Sequence, residues 1–170
     1  MRNDRTIMGA ALAALFIPFC TIADACGDAA KLIKNFEGFR PSVYICQAGE
    51  KAIGYGFTDS CLVSRGTITR EEAEKELTRI CGELVQKISN DLNGIMLKDT
   101  ELAALVSFVY NVGWRNYRGS TLRRLILNGK RGWPVAKEFN RWVYVKKSGK
   151  KIQSNGLKKR RAAEAATFAK

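Results

Sequence analysis

The sequence predicts an α+β fold in which a small β-sheet lobe and a larger helical lobe are joined by a long helix. Two short runs with strand character, residues 43–45 and 52–55, occur early in the chain and are separated by Gln-Ala-Gly. Apolar residues recur at helical spacing before these runs and through most of the chain after them. At 170 residues, the chain is long enough to bury a core without depending on disulfides.

The first two predicted helices lie on either side of the strand-like runs. The first covers residues 28–37, and its apolar face is formed by Ala29, Leu32, Ile33 and Phe36. Thr69 is followed three residues later by Glu72, which is the pattern of a capping box at a helix N-terminus. The helix that begins there reaches about residue 90 and is therefore long enough to join two lobes.

All elements predicted after residue 90 are helical. Asp99 and Ser120 are the predicted N-caps of two helices, and Asn-Gly at residues 128–129 ends the second. Another helix begins near Pro134, and a basic helix covers residues 157–168. Strands early and helices later complete the predicted α+β organisation.

Residues 1–25 are predicted to be a signal peptide or a signal-anchor, and residues 26–170 a single domain. The segment has two arginines within its first six residues, an uncharged apolar run over residues 7–23, and a small-x-small site at residues 23–25. Alanines and a glycine make this run only weakly hydrophobic. Cleavage after Ala25 and retention as an anchor that leaves the bilayer are both compatible with this pattern.

The cysteines favour an oxidising destination. Cleavage after Ala25 would leave four of the five, an even number with three possible pairings, and retention would keep an odd thiol in the anchor. No CxxC spacing and no histidine accompany them, so we expect no metal site. The five are Cys20, Cys26, Cys46, Cys61 and Cys81.

Charge and composition restrict the chemistry. The formal net charge of +13 favours polyanionic partners such as nucleic acid, anionic lipid or cell wall, or else is a solvated basic surface without a specific partner. The chain has no histidine, which excludes Ser-His-Asp and Cys-His nucleophile systems. No Gly-rich phosphate loop is present, and no cofactor is expected. Carboxylate chemistry, as in glycoside cleavage, fits what remains.

Glu37 is the strongest catalytic candidate. It ends an apolar helical pattern and precedes the Tyr- and Gly-rich residues 44–56. A carboxyl group that packs against Leu32, Ile33 and Phe36 has its ionised form destabilised by desolvation, which makes it a suitable proton donor near neutral pH.

Residues 32–58 resemble the active-site region of the phage-type lysozymes, glycoside hydrolase family 24. The family signature is Glu, eight residues, Asp or Cys, five residues and Thr, followed by a segment like IGYG. Glu37, Cys46 and residues 53–56 match it, whereas Ala52 stands in place of the threonine. The segments ALVSFVYNVG, STLRRL, EFNRWVY and GLKKRRAAEAATF also fall in the family's order, so the resemblance covers about residues 28–168.

The resemblance implies a lysozyme-like fold and an inverting muramidase, an endolysin that cleaves the β-1,4 bond between N-acetylmuramic acid and N-acetylglucosamine. Glu37 would be the general acid, and Cys46 would position the attacking water or act as a base, for which a nearby cation such as Arg40 would favour the thiolate. The competing interpretation is that Cys46 forms a structural disulfide. Thiol–disulfide exchange with Cys20 would then free the Cys46 thiol. We expect Tyr55 and Asn111 to contact substrate.

The resemblance implies that the partner is peptidoglycan and that the protein acts on it as a monomer in the periplasm, after export. In the signal-anchor-release type, residues 7–23 would first tether the protein to the inner membrane.

The alternative function is that of a catalytically impaired peptidoglycan-binding homologue, because Ala52 lacks the hydroxyl that helps to orient water. A cationic nucleic-acid or membrane binder is disfavoured, because the lysine and arginine clusters lack interleaved aromatic residues.

Overall fold

A computed structural model of the chain describes residues 19–46, 49–147 and 149–170, with side chains described from residue 24 onward. The described part contains two separate antiparallel hairpins set among helices, so the predicted α+β class is confirmed. The elements in chain order are α1 (Phe19–Glu37), β1 (Arg40–Ile45), β2 (Lys51–Gly54), α2 (Ser60–Ser64), α3 (Arg70–Asp91), α4 (Asp99–Val112), α5 (Trp114–Arg118), α6 (Thr121–Leu127), α7 (Trp133–Ala136), a 3₁₀ helix (Lys137–Arg141), β3 (Tyr144–Lys147), β4 (Lys150–Gln153) and α8 (Asn155–Phe168).

Helix α1 begins at Phe19 rather than at the predicted residue 28. The proposed cleavage point after Ala25 therefore lies inside this helix, and the Ala25 side chain is fully buried. Residues 1–18, which hold most of the predicted export segment, lie outside the described residues. Among the described residues, no helix combines the length and the apolar character needed to cross a membrane.

The end of α1 is set by Gly38. This residue has a φ of 67°, a left-handed conformation that glycine adopts without strain, and its N–H donates to the Lys34 carbonyl at 3.2 Å. The chain can therefore turn directly from the helix into β1. As a result, Glu37 is the last helical residue and lies next to the first hairpin.

Helix α3 begins with the predicted capping box. The Thr69 hydroxyl accepts from the Glu72 N–H at 3.2 Å, and the Thr69 N–H donates to the Glu72 carboxylate at 2.8 Å. The helix leads from the first hairpin to the helices that follow. Its buried face is made of Ala73, Leu77, Cys81, Val85 and Ile88.

Helix α4 is the centre of the core and packs against α1, α3 and α8. Residues 103–109 are all buried, so this helix is enclosed on nearly every side. The predicted N-cap Asp99 was wrong by one residue, because the Glu101 carboxylate accepts from the Lys98 N–H at 2.9 Å and makes Lys98 the cap. Ser120 caps α6 as predicted, accepting from the Arg123 N–H at 3.1 Å.

The prediction of helices only after residue 90 was wrong for residues 144–147 and 150–153, which are strands. The helix predicted near Pro134 ends after four residues and continues as the 3₁₀ helix. The second hairpin, β3 and β4, then carries Lys146, Lys147, Lys150 and Lys151. All of β4 is exposed, so this hairpin has no buried face to produce the alternation of apolar and polar residues that indicates a strand.

Candidate active site

A cleft of about 1170 Å³ separates the first hairpin and the end of α1 from α4, α8 and the second hairpin. Three of the four residues predicted for the site, Glu37, Cys46 and Asn111, line it together. Further polar and charged residues of its wall that bear on the chemistry are Arg40, Tyr44 and Arg160.

Glu37 presents its two carboxylate oxygens to different surroundings. Oε1 accepts from Nη1 of Arg160 at 2.5 Å. The Glu37 side chain is 24% exposed to solvent. Oε2 faces Gly56, where a Cβ atom would lie 3.5 Å away. Gly56 has a φ of +90°, so glycine is favoured there and the space beside the carboxylate stays open. The apolar environment predicted for Glu37 thus includes a cation that the sequence did not indicate.

Arg160 belongs to a buried network of charges between α4 and α8. It is 3% exposed, and it donates to Glu164 at 3.1 Å and to the Ser107 carbonyl at 3.2 Å. Arg161 lies 2.8 Å from the second oxygen of Glu164, and the Ser107 hydroxyl donates to the first at 2.8 Å. Burial lowers the pKa of Arg161 to about 10, so this guanidinium is still charged at neutral pH.

This network positions the catalytic candidate. Burial raises the pKa of Glu164, and the two arginines and Ser107 act in the opposite direction. Because Arg160 is held on its other side by Glu164 and Ser107, its guanidinium has little freedom to move away from Glu37. The Phe36 ring, 5.6 Å from the guanidinium carbon, adds a cation–π contact.

No role was predicted for Arg160, Glu164 or Ser107 from the sequence. A signal was present, since Arg160 and Glu164 stand four residues apart on a predicted helix and Ser107 interrupts an apolar run. That spacing is also found on solvated helix faces, so the sequence did not reveal that the pair is buried.

The first hairpin brings Tyr44 and Cys46 to the cleft that Glu37 lines, and Ala52 lies on the neighbouring strand. Cys46 is half-buried, and its N–H donates to the Glu50 carbonyl at 2.8 Å, which fixes the backbone at the cleft wall. Ala52 is 1% exposed and stands directly opposite Tyr44 in the strand register.

The four cysteines whose side chains the structure describes all carry free thiols, so the predicted disulfide is not found among them. Cys81 is fully buried, and burial raises the pKa of its thiol to about 12. Cys46 is the member of this group that lines the cleft. Cys20 lies outside the residues with described side chains.

The two predicted substrate contacts have different positions. Asn111 is exposed in the cleft, and its Oδ1 accepts from Nη2 of Arg161 at 3.0 Å, which fixes the amide orientation. Tyr55 is 2% exposed, its hydroxyl lies 3.4 Å from Glu74, and its carbonyl accepts from the Tyr110 hydroxyl at 2.8 Å. The structure does not bring the Tyr55 side chain to the cleft.

The basic residues concentrated after residue 145 have two different roles. Arg160 and Arg161 are buried in the charge network and contribute little to the surface field. The lysines of the second hairpin and of α8 are exposed, and Lys151 lines the cleft. One rim of the cleft is therefore cationic.

Comparisons with known proteins agree on one family. The phage lysozyme family model matches residues 34–164. The endolysin of Acyrthosiphon pisum secondary endosymbiont phage 1 is 34% identical over 137 residues, which are 81% of this chain and 92% of the relative. A SAR-endolysin of bacteriophage PS119 is 34% identical over 76% of this chain and 74% of its own length. The muramidase domain of SpmX from Asticaccaulis excentricus superposes with a TM-score of 0.72 at 30% identity, covering 82% of this chain and 93% of that domain.

Proposed function

This chain belongs to the phage lysozyme family, and we propose that Glu37 is the general acid with which it cleaves peptidoglycan. The protein is a glycoside hydrolase of the lysozyme type, an endolysin with muramidase activity. Its reaction is hydrolysis of the β-1,4 bond between N-acetylmuramic acid and N-acetylglucosamine. The proposal concerns which residues carry that reaction and how the protein reaches the wall.

The observation that carries the assignment is the position of Glu37 at the open cleft. One carboxylate oxygen accepts from Arg160, and the other lies beside Gly56 with no hydrogen bond among the described residues. A general acid needs a fixed orientation and access to the leaving oxygen. Arg160 supplies the first, and the side-chain-free space at Gly56 supplies the second. Parallel digestion of purified peptidoglycan by the wild-type chain and by Glu37→Gln tests the assignment.

Cys46 takes the role of water-positioning group or base on the hairpin side of the cleft. A second carboxylate normally has this role in an inverting glycosidase, and a thiolate can replace it because it is also an anionic proton acceptor. The free thiol and its place on the cleft wall support this role over a structural disulfide.

Replacing Cys46 by Ala is expected to lower kcat roughly ten- to hundredfold, because the attacking water loses a hydrogen-bond acceptor. Cys46→Asp is expected to keep activity near the wild-type level. Cys61→Ala is the matched control, since Cys61 is an exposed free thiol outside the cleft lining. Equal activities of Cys46→Ala and Cys61→Ala on purified peptidoglycan would remove Cys46 from the mechanism.

The impaired, wall-binding alternative rests on Ala52. Loss of one hydrogen bond to the attacking water costs roughly 1–3 kcal/mol, which slows the reaction by about tens- to hundredfold. Such a loss slows the reaction but does not abolish it. Glu37 and its arginine are in place, and the family relationship favours an active enzyme. The cationic rim suits the carboxylates of peptide-substituted glycan and supports peptidoglycan as the partner of a monomeric enzyme.

Export through an N-terminal anchor that leaves the bilayer is the proposed route to the periplasm. Three observations support retention of residues 1–25: the weakly hydrophobic run at residues 7–23, the continuation of α1 through the cleavage point, and burial of Ala25. Cutting after Ala25 would divide a helix that is packed in the core. The name of the PS119 relative, a SAR-endolysin, is consistent with this route.

The intact mass of periplasmic protein is expected to include residues 1–25, with Cys20 present. Membrane depolarisation should increase the soluble fraction, because a weakly apolar segment resides only marginally in the bilayer. Mass spectrometry of membrane and soluble fractions measures both effects. A mature protein that starts at Cys26 would instead establish cleavage by signal peptidase.

A further inference from the structure

We propose that the Tyr44 hydroxyl positions the attacking water in this chain, in the place of the threonine hydroxyl that Ala52 lacks. The inference rests on the proposed function, since it assigns one more residue to the same hydrolytic site. Position 52 carries a methyl group where the family signature has an alcohol, so a hydroxyl from another residue is needed for the same contact with water.

Strand geometry places Tyr44 on the correct face. Tyr44 and Ala52 are paired across the antiparallel hairpin, and directly opposed residues project their side chains to the same face. Cys46 lies two residues beyond Tyr44, and this spacing also keeps it on that face. Tyr44 and Cys46 both line the cleft. A hydroxyl carried by Tyr44 therefore reaches the side of the sheet where a residue-52 hydroxyl would project.

The Tyr44 hydroxyl is close to the general acid. A Cβ atom on Gly56 would lie 3.9 Å from this hydroxyl and 3.5 Å from Oε2 of Glu37, so the two groups border the same small space. The Arg40 guanidinium stacks on the Tyr44 ring at 4.7 Å from its centroid and restrains the ring. Among the described residues, no group forms a hydrogen bond with the Tyr44 hydroxyl, which leaves it available to a water molecule.

The other hydroxyls near the hairpin are less suitable. The Tyr110 hydroxyl already donates to the Tyr55 carbonyl at 2.8 Å, and Tyr110 does not line the cleft. Thr58 is exposed and does not line the cleft. Burial, and then the Glu37 charge, raise the pKa of Tyr44, so its hydroxyl keeps its proton at neutral pH.

Tyr44 keeps its proton throughout the proposed hydrolysis. Glu37 gives its proton to the leaving glycosidic oxygen while the bond from that oxygen to the anomeric carbon breaks. The water oxygen forms the new bond to that carbon, and the sulfur of Cys46, as the proposed base, takes the water proton. Tyr44 accepts a hydrogen bond from the water, which directs an oxygen lone pair toward the anomeric carbon.

A double-mutant cycle on purified peptidoglycan tests the inference. Tyr44→Phe is expected to lower kcat roughly ten- to hundredfold with little change in KM, as for the loss of one hydrogen bond to the reacting water. In a background carrying Ala52→Thr, or the smaller Ala52→Ser, the same change is expected to cost less than about threefold. Thr58→Val is the control for loss of a hydroxyl on the same lobe and is expected to leave activity unchanged.

Rescue by a residue-52 hydroxyl is the result that a packing role would not produce. A Tyr44→Phe enzyme within threefold of wild type overturns the inference, and so does an equal loss in the two backgrounds. Failure of the proposed function is recognised separately, since Glu37→Gln would then be as active as wild type whatever the Tyr44 variants do. Thermal unfolding of each variant shows whether a loss of activity reflects loss of folded protein.

Discussion

Replacing Glu37 by Gln is expected to reduce the release of soluble fragments from purified peptidoglycan by at least roughly a hundredfold. The amide has the shape of the carboxyl group but has no acidic proton to donate to the leaving oxygen. Its carbonyl oxygen can still accept from Arg160, so the arginine is not left without a partner on this side. The unfolding free energy is therefore expected to fall by no more than about 2 kcal/mol.

Two measurements define this result. The products of the wild-type enzyme should carry N-acetylmuramic acid at their reducing ends, which identifies the bond that is cleaved. Glu71→Gln is the matched control, because Glu71 is an exposed acid on α3, away from the cleft. Activity of Glu37→Gln above a hundredth of the wild-type value would contradict the general-acid role.

The parts of the site that local sequence patterns could predict are close together in the sequence, whereas Asn111 was expected from the family resemblance. Glu37, Cys46 and the turn at Gly56 fall within twenty residues, and a helix end followed by a hairpin brings such residues together by local geometry. The capping box of α3 is equally local, because Thr69 and Glu72 are three residues apart and bind each other. Patterns of this range are what sequence reasoning can detect.

The parts that were missed depend on distant contacts or lack a pattern. Arg160 is 123 residues from Glu37, and only the packing of α8 against α4 brings it to the cleft. The β3–β4 hairpin has no buried face, so its lysine-rich strands do not alternate. The start of α1 was placed too late, because the small residues before Asp28 in this helix give a weak helical pattern, although tertiary packing buries Ala25.

Glu164→Ala is expected to lower the unfolding free energy by about 3–5 kcal/mol. Glu164 is fully buried and is the carboxylate that Arg160 and Arg161 share. An ion network of this kind gains little over well-packed apolar residues, because desolvation offsets the attraction, but removal of one member leaves uncompensated charge in the interior. Without Glu164, Arg160 would pair with Glu37, and Arg161 would be left with the Asn111 amide.

Urea unfolding of Glu164→Ala and of Glu83→Ala compares the loss of a buried ion pair with the loss of an exposed one. Glu83 also pairs with an arginine, Arg79, but on the exposed surface of α3, where solvent screens the pair, so its removal should change stability little. Equal midpoints for the two variants would contradict a structural role of the buried network.

The folded fraction of Glu164→Ala should also have a lower kcat than wild type. Arg160 is held in part by Glu164, so the guanidinium that orients Glu37 is less restrained in this variant.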